Sequence, residues 1–153
     1  MAQRRPVFLD TNIFLRQLRN DHPQWSPACR ELFRHIEAGE RTAWTTDLAI
    51  AEVVYVLESK KHYDQERSAI AEALRALLSL RHLKLNHKKR YERIFTLYTT
   101  FPQLSYVDCY HAALVEAEKT DLYSYDTDFD LIGTVKRTTP ALPFGESEEQ
   151  AGD

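Results

Sequence analysis

The sequence predicts an α/β domain built on a mostly parallel sheet, and three observations point to it. Short apolar or alternating runs, PVFL at 6–9, RTAWTT at 41–46 and HLKLN at 82–86, recur between longer stretches with helical periodicity. Strand and helix signals alternate along the chain, and parallel strands need crossovers of a dozen residues or more, which the helices supply. At 153 residues the chain can bury one core, and no repeat or interior linker divides it. The expected organisation is one domain over 1–143 and an acidic tail over 144–153.

The first strand, Pro6 to Leu9, is a buried apolar run ending on Asp10. Thr11 and Asn12 open a helix carrying Ile13, Phe14, Leu15 and Leu18. Ser26 as N-cap, Pro27 in the first helical position and Gly39 past the end bracket the second helix. Its apolar face is Ala28, Leu32, Phe33 and Ile36. Residues 41–46 form the second strand, and Thr45 or Thr46 caps the helix DLAIAEVVYVLESKK. Residues 65–80 make an amphipathic helix with Ile70, Ala73, Leu74, Leu77 and Leu78 inward. The third strand falls at His82–Asn86, followed by a helix over 88–100 and a turn at Phe101-Pro102. Ser105 caps the helix SYVDCYHAALVEAEK. DLYSYD at 121–126 is the fourth strand and VKRTT at 135–139 the fifth. Such an alternation predicts a sheet covered by helices on both faces.

Composition narrows the class. Hydrophobic residues at 43% and charged residues at 28% are ordinary for a globular domain. Cys29 and Cys109 form no CxxC and lie on separate helices, as reduced core thiols of a cytoplasmic protein do. The start MAQRRPVFLD is too short in apolar residues for secretion, and no stretch approaches a membrane span. The tail GESEEQAGD has no apolar periodicity and reads as disordered; its four acids outweigh the net charge of −3 and leave the body at +1. Net charge therefore neither supports nor excludes a nucleic-acid partner.

Four acids stand out. Asp10 and Asp126 close the first and fourth strands, and open α/β sheets gather their chemistry outside the carboxyl ends of strands. Glu52 sits in the apolar run LAIAEVVYVL, where a buried carboxylate without a partner would be costly. Asp108 lies in the first turn of its helix, where the dipole favours negative charge. Singly, each has a plainer reading: Asp10 as a helix cap, Asp108 as a dipole partner, Glu52 as half of a buried ion pair. Jointly they need a cation, since two carboxylates ~5 Å apart repel by roughly 3 kcal/mol at an effective dielectric near 20. An all-oxygen set suits Mg²⁺ or Mn²⁺, and such ions suit phosphodiester hydrolysis.

Competing motifs fail. In YSYDTDFD (123–130) a calcium loop would need Gly and Glu where Leu131 and Arg137 stand. Four glycines, at 39, 133, 145 and 152, make no phosphate loop, and no HExxH or Cys/His zinc spacing occurs. A haloacid dehalogenase-type phosphatase wants a second Asp where Asn12 stands. Within the triplet, Asp126 is the expected ligand. Asp128 is left for a weaker or indirect contact or for capping the FDLI turn, and Asp130 for a solvent-facing acid.

Taken together, VFLDTNIFL, TTDLAIAEVVYVL, LSYVDCYHAALVEA and LYSYDTDFDLI with VKRTTP resemble the PIN domain family, most closely a VapC-type toxin ribonuclease, over roughly residues 6–140. The resemblance implies a PIN-like three-layer fold with a five-stranded sheet in the order 3-2-1-4-5. It implies that Asp10, Glu52, Asp108 and Asp126 hold one or two Mg²⁺ or Mn²⁺ ions, with Thr11, Asn12 and Ser124 orienting these acids or the water. It also implies RNA as substrate, a cognate antitoxin over the acidic pocket and a homodimer. A PIN nuclease for RNA processing or DNA without an antitoxin, and a catalytically silent PIN binding module, are the alternatives.

A polyanion needs basic surroundings. The candidates are Arg16 and Arg19 after Asp10, Lys60 and Lys61 in SKKH, and Lys88, Lys89 and Arg90 in HKKRYER, where aromatic and basic residues mix. His111, one turn beyond Asp108, faces the cleft or makes a structural hydrogen bond. Tyr91, Phe95 and Tyr98 at helical spacing suit a dimer face or the core equally.

Overall fold

The computed structural model describes residues 4–141, so the predicted tail over 144–153 lies outside the described residues. The elements run β1 (Val7–Phe8), α1 (Thr11–Arg19), α2 (Trp25–Glu37), β2 (Ala43–Trp44), α3 (Asp47–Glu58), α4 (Arg67–Leu78), β3 (Leu83–Lys84), α5 (Tyr91–Thr100), α6 (Tyr106–Glu118), β4 (Leu122–Tyr123) and β5 (Arg137–Thr138). Single 3₁₀ turns stand at Lys88–Arg90 and Thr127–Leu131. The predicted α/β alternation is present throughout, with shorter strands. No described helix is long and apolar enough to cross a membrane.

All pairings are parallel. Val7, Ala43 and Leu83 stand in one register row, and Phe8, Trp44 and Lys84 in the next. Leu122 pairs with Arg137 and Tyr123 with Thr138. The order is thus 3-2-1 in one piece and 4-5 in another, with no β1–β4 ladder among the described residues. Backbone bonds outside the short ladders extend the pairing: Leu9 donates to Trp44 (2.9 Å) and Thr45 to Lys84 (3.0 Å).

Alternation along the strands sorts the two faces. Leu9, Ala43 and Leu83 are buried beneath the helices, whereas Phe8 and Trp44 are each 46% exposed beside an exposed Lys84. Helices therefore cover this part of the sheet fully on one face only. The core centres on α3, whose Ile50, Val53, Val54 and Leu57 are completely buried where it packs on α1, α4 and α6. Tyr91, Phe95 and Tyr98 are buried in the same core, which settles them as packing rather than a dimer face.

α2 departs from its predicted start. It begins at Trp25 with Gln24 as N-cap, and buried Ser26 instead accepts the His22 N–H at 3.2 Å. Pro27 then falls in the third helical position, still within the turn whose N–H groups lack helical partners. The buried face turns accordingly to Cys29, Phe33 and Ile36, with Ala28 exposed and Leu32 half-buried. Gly39 follows the helix as predicted, at φ +78°, with His82 3.0 Å from where a Cβ would stand. In α4, Ala71 is buried where Ala73 is only half-buried.

Candidate functional site

β1 delivers Asp10 to the start of α1. The residue keeps extended backbone angles, and its Oδ1 accepts the Thr11 N–H at 2.8 Å as the helix N-cap. Thr11 itself is buried, and its hydroxyl donates to Glu52 Oε2 at 2.8 Å. One hydrogen bond therefore ties the end of β1 to the middle of α3, 41 positions away. Below it, the buried Thr45 hydroxyl donates to the Leu9 carbonyl at 2.9 Å, fixing β2 against the last residue before Asp10. Thr46, the next residue, caps α3 by accepting the Ala49 N–H.

Glu52 is not buried. It lies on the exposed stripe of α3, between Leu48 (83% exposed) and Tyr55 (72%). The apolar run that surrounds it in sequence is buried on its other sides, and apolar neighbours on a helix do not bury every residue between them.

Asp108 and Asp126 take the same kind of post as Asp10. Ser105 and Asp108 form a capping box: the Asp108 N–H donates to Ser105 Oγ (3.1 Å) and the Ser105 N–H to Asp108 Oδ2 (3.2 Å). Asp126 follows β4, where Ser124 Oγ accepts its N–H at 3.0 Å. Its Oδ1 accepts the Asp128 N–H at 2.9 Å and so caps the 3₁₀ turn, one of the two posts left open for Asp128. Asp130 is exposed but held by the Arg137 guanidinium through two bonds of 2.9 Å.

A common pattern emerges from these bonds. Asp10, Glu52, Asp108 and Asp126 each use one carboxylate oxygen in a hydrogen bond that fixes the group, leaving the other outside these bonds. Three of them stand at the N-terminal ends of helical turns, where backbone dipoles favour negative charge. None of the four forms an ion pair among the described residues, whereas Asp21, Glu58, Glu116 and Asp130 all do. Hard oxygen donors with no competing cation fit a hard divalent ion. The structure joins only Asp10 and Glu52, through Thr11. No described group of three or more His, Cys, Asp or Glu closes tightly enough to hold a metal, and Asp108 and Asp126 each accept a backbone N–H at their own caps. Asn12 is exposed, and no hydrogen bond ties it to these acids.

Most of the expected basic grip is occupied elsewhere. Arg16 pairs with Asp21 at 2.6 Å, and Asp21 also accepts the Tyr63 hydroxyl, which together with Arg16 holds its carboxyl below the usual range. Arg19 lies over the Tyr63 ring. Lys88 donates to the Leu80 and Leu83 carbonyls at 2.7 and 2.6 Å, and burial lowers its pKa. Arg90 pairs with Glu118 at 2.5 Å and Arg93 with Glu116 at 2.7 Å. Lys60, Lys61 and Lys89 remain exposed and without ion pairs among the described residues. His111 is exposed as well.

Two supports carry no sequence signal of their own. Arg67 Nη1 donates to the Tyr98, Phe101 and Leu104 carbonyls, its Nε to Glu58, and its guanidinium lies 4.4 Å from the Tyr98 ring centroid. It thereby holds the turn that leads into Ser105 and Asp108. Asp47 accepts both the Tyr91 and Tyr110 hydroxyls, and burial pushes Tyr110 up to about 12. A first-turn acid and an arginine at a helix start look ordinary in sequence.

A search of curated proteins returned no match. A family model described as PIN domain matches residues 7–134, a span that contains all four acids and every element from β1 to the turn before β5.

Proposed function

The chain belongs to the PIN domain family, and from that premise we propose that it is a divalent-metal-dependent endoribonuclease, the toxin of a type II toxin–antitoxin pair. PIN domains are generally metal-dependent nucleases. The observation that supports an active member is the set of four acids, each fixed through one oxygen and none paired to a cation. Mg²⁺ or Mn²⁺ held by such a set supplies charge that acidifies an attacking water and stabilises negative charge on the phosphate. The chain's own part is orientation: Thr11 fixes Glu52, the α1 amide fixes Asp10, and Ser105 and the Asp128 amide fix Asp108 and Asp126. A homodimer and an antitoxin covering the acids belong to the same reading.

Purified protein with Mg²⁺ or Mn²⁺ is expected to cleave structured RNA, and EDTA or Asp10→Asn to abolish cleavage. Undiminished cleavage under either condition overturns the reading. A catalytically silent RNA- or protein-binding module is the second reading, favoured by the failure of any three acids to close together. Calorimetric titration with Mn²⁺ separates the two: heat that disappears in Asp10→Asn supports the enzyme, and no heat supports the module.

A further inference from the structure

The bare sheet face and the groove beside it carry chemistry that the four acids do not use. A groove of about 340 Å³ runs along the carboxyl ends of β2 and β3, with Trp44, Leu48, Lys84 and Asn86 among its walls. Trp44 is half-exposed and Leu48 almost wholly so, an unusual placement for large apolar side chains lining one hollow. Lys84 shares Trp44's register row, is exposed, and its ammonium makes no hydrogen bond or ion pair among the described residues. On the other side of Trp44, the Phe8 ring meets it edge-on with centroids 4.7 Å apart. Phe8 is two residues before Asp10, about 7 Å of strand length, so its ring stands between Trp44 and the acid's strand end. The one carboxylate in the groove, Asp47, is engaged by two tyrosine hydroxyls.

We infer that this groove is a nucleobase subsite for single-stranded RNA, in which a base stacks on Trp44 while Lys84 meets the adjoining phosphate. The unpaired Lys84 ammonium gives a phosphate its complementary charge at this point of the groove, and an exposed aromatic face selects an unstacked base over a duplex. Continuity through Phe8 to Asp10 lets one strand occupy the groove and the acids together. The inference rests on the ribonuclease reading for its choice of nucleic acid, but binding here needs no metal and no cleavage.

The test is metal-free binding of short oligouridylate and oligoadenylate to the full chain in EDTA, followed by Trp44 fluorescence in a Trp25→Phe background. RNA is expected to quench Trp44 and a duplex to bind more weakly. Trp44→Ala should weaken single-strand binding about 5- to 150-fold, with Trp44→Phe keeping most of the affinity. Lys84→Gln should lower the slope of log affinity against log salt by about 0.7. Unchanged affinity in Trp44→Ala together with an unchanged slope in Lys84→Gln overturns the subsite. Self-association lost in Trp44→Ala with RNA binding intact gives the groove to a second copy. Emission that responds to removal of residues 142–153 but not to RNA gives it to the chain's own end. Either result also overturns the subsite. Cleavage that survives in Asp10→Asn would remove the four-acid, metal-dependent reading while leaving these binding results standing.

Discussion

Thr11 and Glu52 are joined by a 2.8 Å hydrogen bond in which the buried hydroxyl donates to the carboxylate. Asp10, the preceding residue, caps the same helix that Thr11 begins. The bond therefore sets where one acid lies relative to the other, and it does so from a residue with no charge of its own.

Thr11→Val keeps the shape of the side chain and removes the donor. Because Glu52 is exposed and water can replace the lost partner, the stability cost is expected to be only about 1 kcal/mol, read by urea unfolding. Cleavage should fall further than stability does, since Glu52 loses its orientation. Thr11→Ser should restore both. Full activity in Thr11→Val would show that the bond does not position Glu52 for the reaction.

Asp10→Asn separates the two roles of the first acid. Asparagine caps helices about as well as aspartate, so the melting temperature should hardly move. Loss of the negative charge should cost cleavage about 100-fold or more, the equivalent of ~3 kcal/mol of transition-state stabilisation. A large fall in melting temperature with cleavage intact would assign Asp10 to the fold alone.

The legible parts of this molecule are those written locally. Ser105 and Asp108 stand three apart, and their capping box follows from that spacing. Gly39 announces the left-handed residue after α2 in the same way. The acids at strand ends follow from the alternation of strands and helices. Side-chain partners far away in the chain are not legible. Nothing near HKKRYER indicates that Arg90 will reach Glu118, 28 positions on, or that Lys88 will fold back onto two carbonyls. Glu52 misleads for a related reason: an apolar run suggests burial, but only the packing of α3 on α1, α4 and α6 decides which stripe stays in water.

Arg67 ties the start of α4 to the turn ahead of α6. Arg67→Met would leave Glu58 and three carbonyls short of a donor in a partly buried place. The expected cost is about 3 kcal/mol by urea unfolding, with Arg67→Lys recovering only part, because one ammonium cannot reproduce the guanidinium's fork and its stacking on Tyr98. A loss below ~1 kcal/mol would mean that water serves the turn equally well.

Cys109 is one contributor to the alkaline limb of stability, beside the raised Cys29 thiol and the raised Tyr110 phenol. Its side chain is wholly buried in α6, and desolvation raises the thiol from an ordinary value of 9.0 to about 11. Well below pH 9 the thiol is protonated in both the folded and unfolded chain and contributes no pH dependence. Between about 9 and 11 the unfolded chain loses this proton first, so the folded state holds more protons and stability falls as pH rises. The slope approaches 1.4 kcal/mol per pH unit, for a total of roughly 2–3 kcal/mol across the window. Urea unfolding of Cys109→Ala across that range should be flatter by this amount, whatever its stability at pH 7. At pH 8, iodoacetamide should leave the folded thiol unmodified and react once urea unfolds the chain. Rapid labelling of the native protein at pH 8, or an identical alkaline limb in Cys109→Ala, would show that α6 opens readily and that burial does not hold the proton.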